Sequence, residues 1–144
     1  MTLAAITSVL GGRRALKRNV ESDSQLVLLI REGLPVDTLT KIAHDLSIDR
    51  RKLARAVGIS ERTLSRRLAT AARLTAEESD RTVRLARVVA MATETLGTSA
   101  KASSWLQNPN RALEGQVPLD LLDTETGVRA VETILGRIDY GLYS

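Results

Sequence analysis

Cysteine and phenylalanine are both absent from this sequence, and one tryptophan, two tyrosines and one histidine complete its short supply of aromatic and imidazole side chains. Without cysteine there can be no disulfide, thiolate nucleophile or cysteine-bound zinc. His44 is the single histidine, so a two-histidine metal site is excluded too. No apolar run approaches the roughly 20 residues that a membrane helix requires. At the start of the chain, the apolar residues 3–10 come before Arg13, Arg14, Lys17 and Arg18, the reverse of the order in a secretory signal. A soluble, cytoplasmic protein is therefore expected. Gly11-Gly12 has neither the spacing nor the preceding strand of a phosphate-binding loop. Pairs such as Asp120/Asp123 and Glu77/Glu78 have no neighbours in sequence that suggest a pocket able to shift their pKa values. These absences argue against an enzyme, and neither a cofactor nor a metal is expected.

What remains is a chain of 144 residues, 43% of them hydrophobic, long enough for one ordinary domain or two very small ones. Its core must be built from Leu, Ile, Val and Ala, a composition that suits packed helices better than sheets. No segment has strand periodicity, and an all-α fold is expected. Charge is unevenly spread. Residues 50–87 hold eleven Lys and Arg against four acids, a local balance of +7, whereas from Asn110 onward three Arg face six acids, a balance of −3. Two surfaces with different partners are implied, the basic one suited to phosphates.

Punctuation divides the chain into short helical blocks. Ser22 or Ser24 can cap a helix running to Glu32, which Gly33 ends. After Pro35, the residues Leu39, Ile42, Ala43 and Leu46 recur at helical spacing. Thr75 and Glu78 form a capping box for a long helix over 75–96, with Leu85, Val88, Val89, Ala92 and Leu96 as its apolar stripe and Gly97 as its stop. Beyond it, Asn108-Pro109-Asn110, Gly115 and Pro118 imply short helices and tight turns. A last helix is expected over 124–136, with Val128, Val131 and Leu135 facing inward.

The most informative stretch lies between Asp49 and Leu68. Asp49 caps a helix over Arg50–Val57, Gly58 turns the chain, and Ser60 caps a second helix over 61–68. Ala54 permits close approach, Ile59 plugs the core, and Leu64 and Leu68 anchor the second helix. This is the pattern of a helix-turn-helix, in which the second helix lies in the major groove while the first crosses the backbone. The positions left outward are Glu61, Arg62, Thr63, Ser65, Arg66 and Arg67, with Arg50, Arg51 and the Ser60 hydroxyl beside them. Arginine can bond a guanine edge with two parallel hydrogen bonds, and Ser and Thr reach bases or phosphates. Operator DNA is the expected partner of this region. A homodimer is expected as well, because operators are read as paired half-sites.

In the C-terminal half, Tyr140 and Tyr143 stand within the last five residues, either docked on the core or offered to a partner. The run Trp105-Leu106, Asn108-Pro109-Asn110, Leu113, Gly115, then Pro118 to Leu122, Gly127, Val131, Leu135, Ile138 and Tyr140-Gly141 resembles the toxin-binding domain of the Xre/MbcA/ParS antitoxins. The preceding helix-turn-helix is similar to the Xre-like half of the same family. The resemblance implies an Xre-like DNA-binding region over residues 1–74, a connecting helix over 75–96 and a small helical toxin-binding domain over 97–144. It further implies a type II toxin–antitoxin system, with a RES-domain toxin that consumes NAD⁺ and an antitoxin that represses its own operon. Under it, Trp105, Pro109, Leu113, Gly115 and Pro118 shape the domain. Arg137, Ile138, Asp139, Tyr140, Gly141, Leu142, Tyr143 and Ser144 form the blocking tail, which would cover the toxin's active site. Residues 1–20 have no counterpart in this scheme. A stand-alone transcription regulator whose C-terminal half dimerises or senses a ligand is the competing expectation.

Overall fold

The computed structural model describes residues 2–141, so Leu142, Tyr143 and Ser144 of the expected tail lie outside the described residues. Most helices start at a short polar side chain that accepts a hydrogen bond from an N–H of the first turn. Ser22 does this for α3 (Asp23–Glu32), Asp49 for α5 (Arg50–Val57) and Ser60 for α6 (Glu61–Thr70). Thr75 serves α7 (Ala76–Leu96), Thr98 serves α8 (Ser99–Gln107) and Thr124 serves α9 (Glu125–Asp139). Each such cap satisfies a donor the helix itself leaves unpaired and is worth about 1 kcal/mol. The two earlier helices, α1 (Leu3–Val9) and α2 (Gly12–Leu16), and α4 (Asp37–Leu46) complete the α elements. Two 3₁₀ turns, Arg111–Leu113 and Pro118–Leu121, lie between α8 and α9. Among the described residues there are no strands, only two isolated bridges, Pro35 with Arg73 and Asn110 with Gln116.

The long α7 is more than a connector. It packs on α1, α3, α4, α5, α8 and α9 and is joined to α6 through an ion pair between Arg67 and Glu78, so the other large helices are arranged around it. Leu85, Ala86, Val88 and Ala92 are wholly buried along its length. One hydrophobic cluster runs from Leu10 and Leu16 through Leu29, Leu39, Leu53 and Leu64 to Leu106, Val128 and Leu135. The expected DNA-binding and toxin-binding regions therefore share a core. The first helix of the helix-turn-helix packs directly on the C-terminal half: α5 meets the Pro118–Leu121 turn, and Lys52 Nζ donates to Gln107 Oε1 at 3.2 Å.

Other departures from the sequence reading are local. Residues 3–16, which had no assigned role, form α1 and α2, with Leu10 and Leu16 in the core. Helix α6 runs two residues beyond Leu68, and α9 continues past Gly136 to Asp139. No helix of the described residues is long and apolar enough to cross a membrane.

Candidate functional site

The turn between α5 and α6 depends on a backbone conformation that side chains disfavour. Gly58 has φ 67° and closes α5, and the Ile59 N–H bonds back to the Ala54 carbonyl at 3.0 Å. From α7, Arg81 reaches across to this turn, donating to the Gly58 carbonyl at 3.2 Å while pairing with Glu77. Ala54, Ala56 and Val57 are buried below, and Leu64 anchors α6 with none of its surface exposed. The two helices are thus held at a fixed angle with their outer faces in solvent.

Those outer faces carry unequal arginines. Arg51, Arg62 and Arg66 are exposed, and none of their side chains has a bonding partner among the described residues. Arg50 donates to the Ser65 hydroxyl at 3.3 Å, joining the start of α5 to the middle of α6. Ser60 accepts from the Thr63 N–H at 3.0 Å and donates to the Thr63 hydroxyl at 2.9 Å, so these two side chains build the helix start.

Arg67 departs from the expectation that it faces outward. Its guanidinium turns to α7, where Nη2 donates to Glu78 Oε2 at 3.1 Å and Nε lies 2.8 Å from Oε1, outside hydrogen-bond alignment. Side-chain exposure of the pair is only 18% and 11%, so Arg67 serves to hold α6 against α7. Glu78 also accepts from the Thr75 N–H at 2.9 Å as its half of the capping box. Burial pushes the Glu78 carboxyl up, but the Thr75 N–H and the Arg67 guanidinium outweigh it and hold the carboxyl below its ordinary value. Nothing in sequence order ties Arg67 to Glu78, eleven residues apart across a turn. The Glu77 to Arg81 spacing on one helix was readable as a pair.

The C-terminal region is assembled around its turns. Pro118 opens the second 3₁₀ turn and is buried, Leu113 is buried in the first, and Gly115 follows with φ 83°. Trp105 packs partly buried against the core, while Pro109 is exposed. Gly127 lets α9 approach the second turn: a Cβ there would lie 1.8 Å from the Leu121 carbonyl oxygen. Two ion pairs fasten α9 to α7, Arg84 with Glu125 at 3.3 Å and Arg87 with Glu132 at 2.8 Å. At the far end, Arg137, Ile138 and Asp139 belong to the last turn of α9, with Ile138 packed against the core. Tyr140 caps the helix with 82% of its surface exposed, beside Gly141 at φ 71°.

Comparison with known proteins places both halves. A family model described as the antitoxin Xre-like helix-turn-helix domain matches residues 25–87, and one described as the antitoxin Xre/MbcA/ParS C-terminal toxin-binding domain matches residues 91–141. The chain is 38% identical to an antitoxin Xre of Yersinia enterocolitica, over 83% of this chain and 81% of that protein. It is 36% identical to an antitoxin Xre of Photorhabdus laumondii, over 85% of this chain and 84% of the other. A chain from the crystal structure of the M. tuberculosis MbcT–MbcA toxin–antitoxin complex shares the fold, with a TM-score of 0.56 and 23% identity over 76% of this chain and 96% of that one.

Proposed function

The chain belongs to the Xre antitoxin family, with an Xre-like helix-turn-helix followed by a toxin-binding domain, and from that premise we propose that it neutralises a RES-domain, NAD⁺-consuming toxin and represses its own operon. It acts in the cytoplasm, by binding rather than by catalysis. The observation that carries the reading is the pairing, on one core, of a helix-turn-helix whose Arg51, Arg62 and Arg66 are unpaired with a matched toxin-binding domain.

At the DNA end, α6 lies in the major groove of an operator half-site, and Arg62 and Arg66 are its reading and phosphate-binding side chains. Arg50, Arg51, Ser65 and the capping pair Ser60 and Thr63 sit at the groove edge. Arg67 has no direct part and fixes the pose of α6 through Glu78. A homodimer presents two such helices to paired half-sites.

At the other end, the exposed Tyr140 and the residues after it cover the toxin's NAD⁺ pocket. Tyr140 supplies a large amphipathic anchor at the end of a rigid helix, with Asp139 and Arg137 on the turn below it. Because Ile138 packs on the core, a clean test removes residues 140–144 and leaves α9 whole. Cells producing the adjoining gene's toxin should be rescued by the full chain and not by the chain ending at Asp139. Rescue by the shortened chain with undiminished toxin binding would overturn the tail mechanism. Arg62→Ala with Arg66→Ala should abolish repression of the upstream promoter and leave rescue intact. A variant that loses both functions would argue against separate surfaces.

A further inference from the structure

The first twenty residues contain Arg13, Arg14, Lys17 and Arg18 and no acid. The whole chain has 21 Lys and Arg against 17 acids, so this segment accounts for all of the net charge of +4, and the remainder is neutral. It also precedes both segments matched by family models, which begin at residues 25 and 91.

The segment is fixed to the body of the protein. Leu10 and Leu16 are 0% and 1% exposed, α1 packs on α7 and α2 packs on α4. Arg18 pairs with Glu32 at 2.7 Å. The other three cations of α2 and its cap, Arg13, Arg14 and Lys17, are exposed, and none has an acidic partner among the described residues. Their neighbours lead to the helix-turn-helix along two routes. Helix α4 packs on α5, whose first turn bears Arg50 and Arg51. From Glu32, the chain passes into Gly33, whose Cα region meets Leu74 and Arg73 just beyond α6. Unneutralised charge held on the same packed body as a DNA-reading motif, with α4 between the two, is suited to the sugar-phosphate backbone, where each contact releases a counterion and carries no sequence information.

We propose that Arg13, Arg14 and Lys17 form a second phosphate-binding surface that flanks the helix-turn-helix and grips DNA outside the bases read by α6. This rests on the DNA-binding reading above and extends it to a segment with no assigned role. An acidic face of the toxin is the other macromolecule such a patch could meet, and the experiment separates the two.

The test is a full-length triple variant, Arg13→Gln, Arg14→Gln and Lys17→Gln, which keeps the side-chain stems. Its thermal melt should match that of the wild type, since all three side chains are exposed. Binding to a duplex from the chain's own upstream region, and to a scrambled duplex of the same length, is followed by fluorescence anisotropy over a series of salt concentrations. The slope of log affinity against log salt should flatten by about 0.9 for each contact removed, up to about 3 for the three. Preference for the upstream duplex over the scrambled one should not change. A variant that keeps the wild-type slope overturns this inference alone. So does one that binds DNA normally but loses affinity for the adjoining gene's product, which would assign the patch to the protein partner. If the wild-type chain binds neither duplex, the DNA-binding reading falls and takes this inference with it.

Discussion

Arg67 has two possible employments, and its surroundings decide between them. A guanidinium on the second helix of a helix-turn-helix could meet DNA, but this one faces Glu78 with little solvent access on either side. Removing one partner of a buried ion pair leaves an uncompensated charge, which costs more than the intact pair contributes. Arg67→Ala should therefore lower stability by about 2–3 kcal/mol in urea denaturation, discounted from a fully buried pair for its partial exposure. Arg66→Ala should change stability by less than about 0.5 kcal/mol, as exposed substitutions do. Equal stability losses for the two would contradict the assignment of Arg67 to structure and Arg66 to DNA.

The same pair sets a pH dependence. In the folded chain the Glu78 carboxyl titrates below its ordinary value of 4.5, so the folded state binds the proton less readily than the unfolded state. The stability this contributes is fully present above about pH 4.5 and is lost as pH falls through the depressed value. Stability of the wild type measured from pH 6 down to about pH 3 should fall more steeply than that of Glu78→Gln, which has no carboxyl to protonate at that position. Parallel curves would mean that the Arg67 contact does not hold Glu78 in its charged form.

Among the elements, what sequence reveals depends on how far apart the interacting residues are. Ser22, Asp49, Ser60 and Thr75 each cap the helix that follows, and a cap spans three residues, so the sequence shows it directly. The end of α9 is less legible, because Ile138 packs on the core and the helix continues past Gly136 to Asp139. The short helices α1 and α2 owe their place to Leu10 and Leu16, whose burial depends on α7 and α4. Short helices have little stability of their own, so the Thr2 cap of α1 and the spacing of Leu3, Ile6 and Leu10 are weak local signals without the packing partners. Arg81 on Gly58 and Lys52 on Gln107 were hidden for a related reason, since both contacts depend on how α7 and α8 are packed.

Gly127 tests the seating of α9. Alanine favours a helix over glycine by about 1 kcal/mol, so on propensity alone Gly127→Ala should stabilise the chain. The close Leu121 carbonyl reverses that expectation, because the added methyl has backbone rather than a flexible side chain in its way. The variant should be destabilised by about 1–3 kcal/mol, read from its thermal midpoint. A rise in the midpoint would mean that α9 and the Pro118–Leu121 turn are not locked together.

For the molecule as a whole, one core supports two ends of different character. The basic helix-turn-helix and the positive N-terminal segment lie upstream of α7, and the acidic C-terminal half with its exposed Tyr140 lies downstream. Because α5 also packs on the C-terminal turn, and α9 is ion-paired to α7, the two surfaces are parts of a single packed unit. Destabilising core substitutions should impair both activities, so only exposed positions such as Arg62, Arg66 and Tyr140 can separate them. The most direct test is calorimetric titration of the adjoining gene's purified product with the full chain and with its Tyr140→Ala variant, whose fold should be intact because the side chain is exposed. Saturable binding by the full chain, weakened about tenfold or more (1.4 kcal/mol) in the variant, is the predicted result for an anchoring aromatic. Equal affinity of the two chains, or no binding by either, would contradict the account.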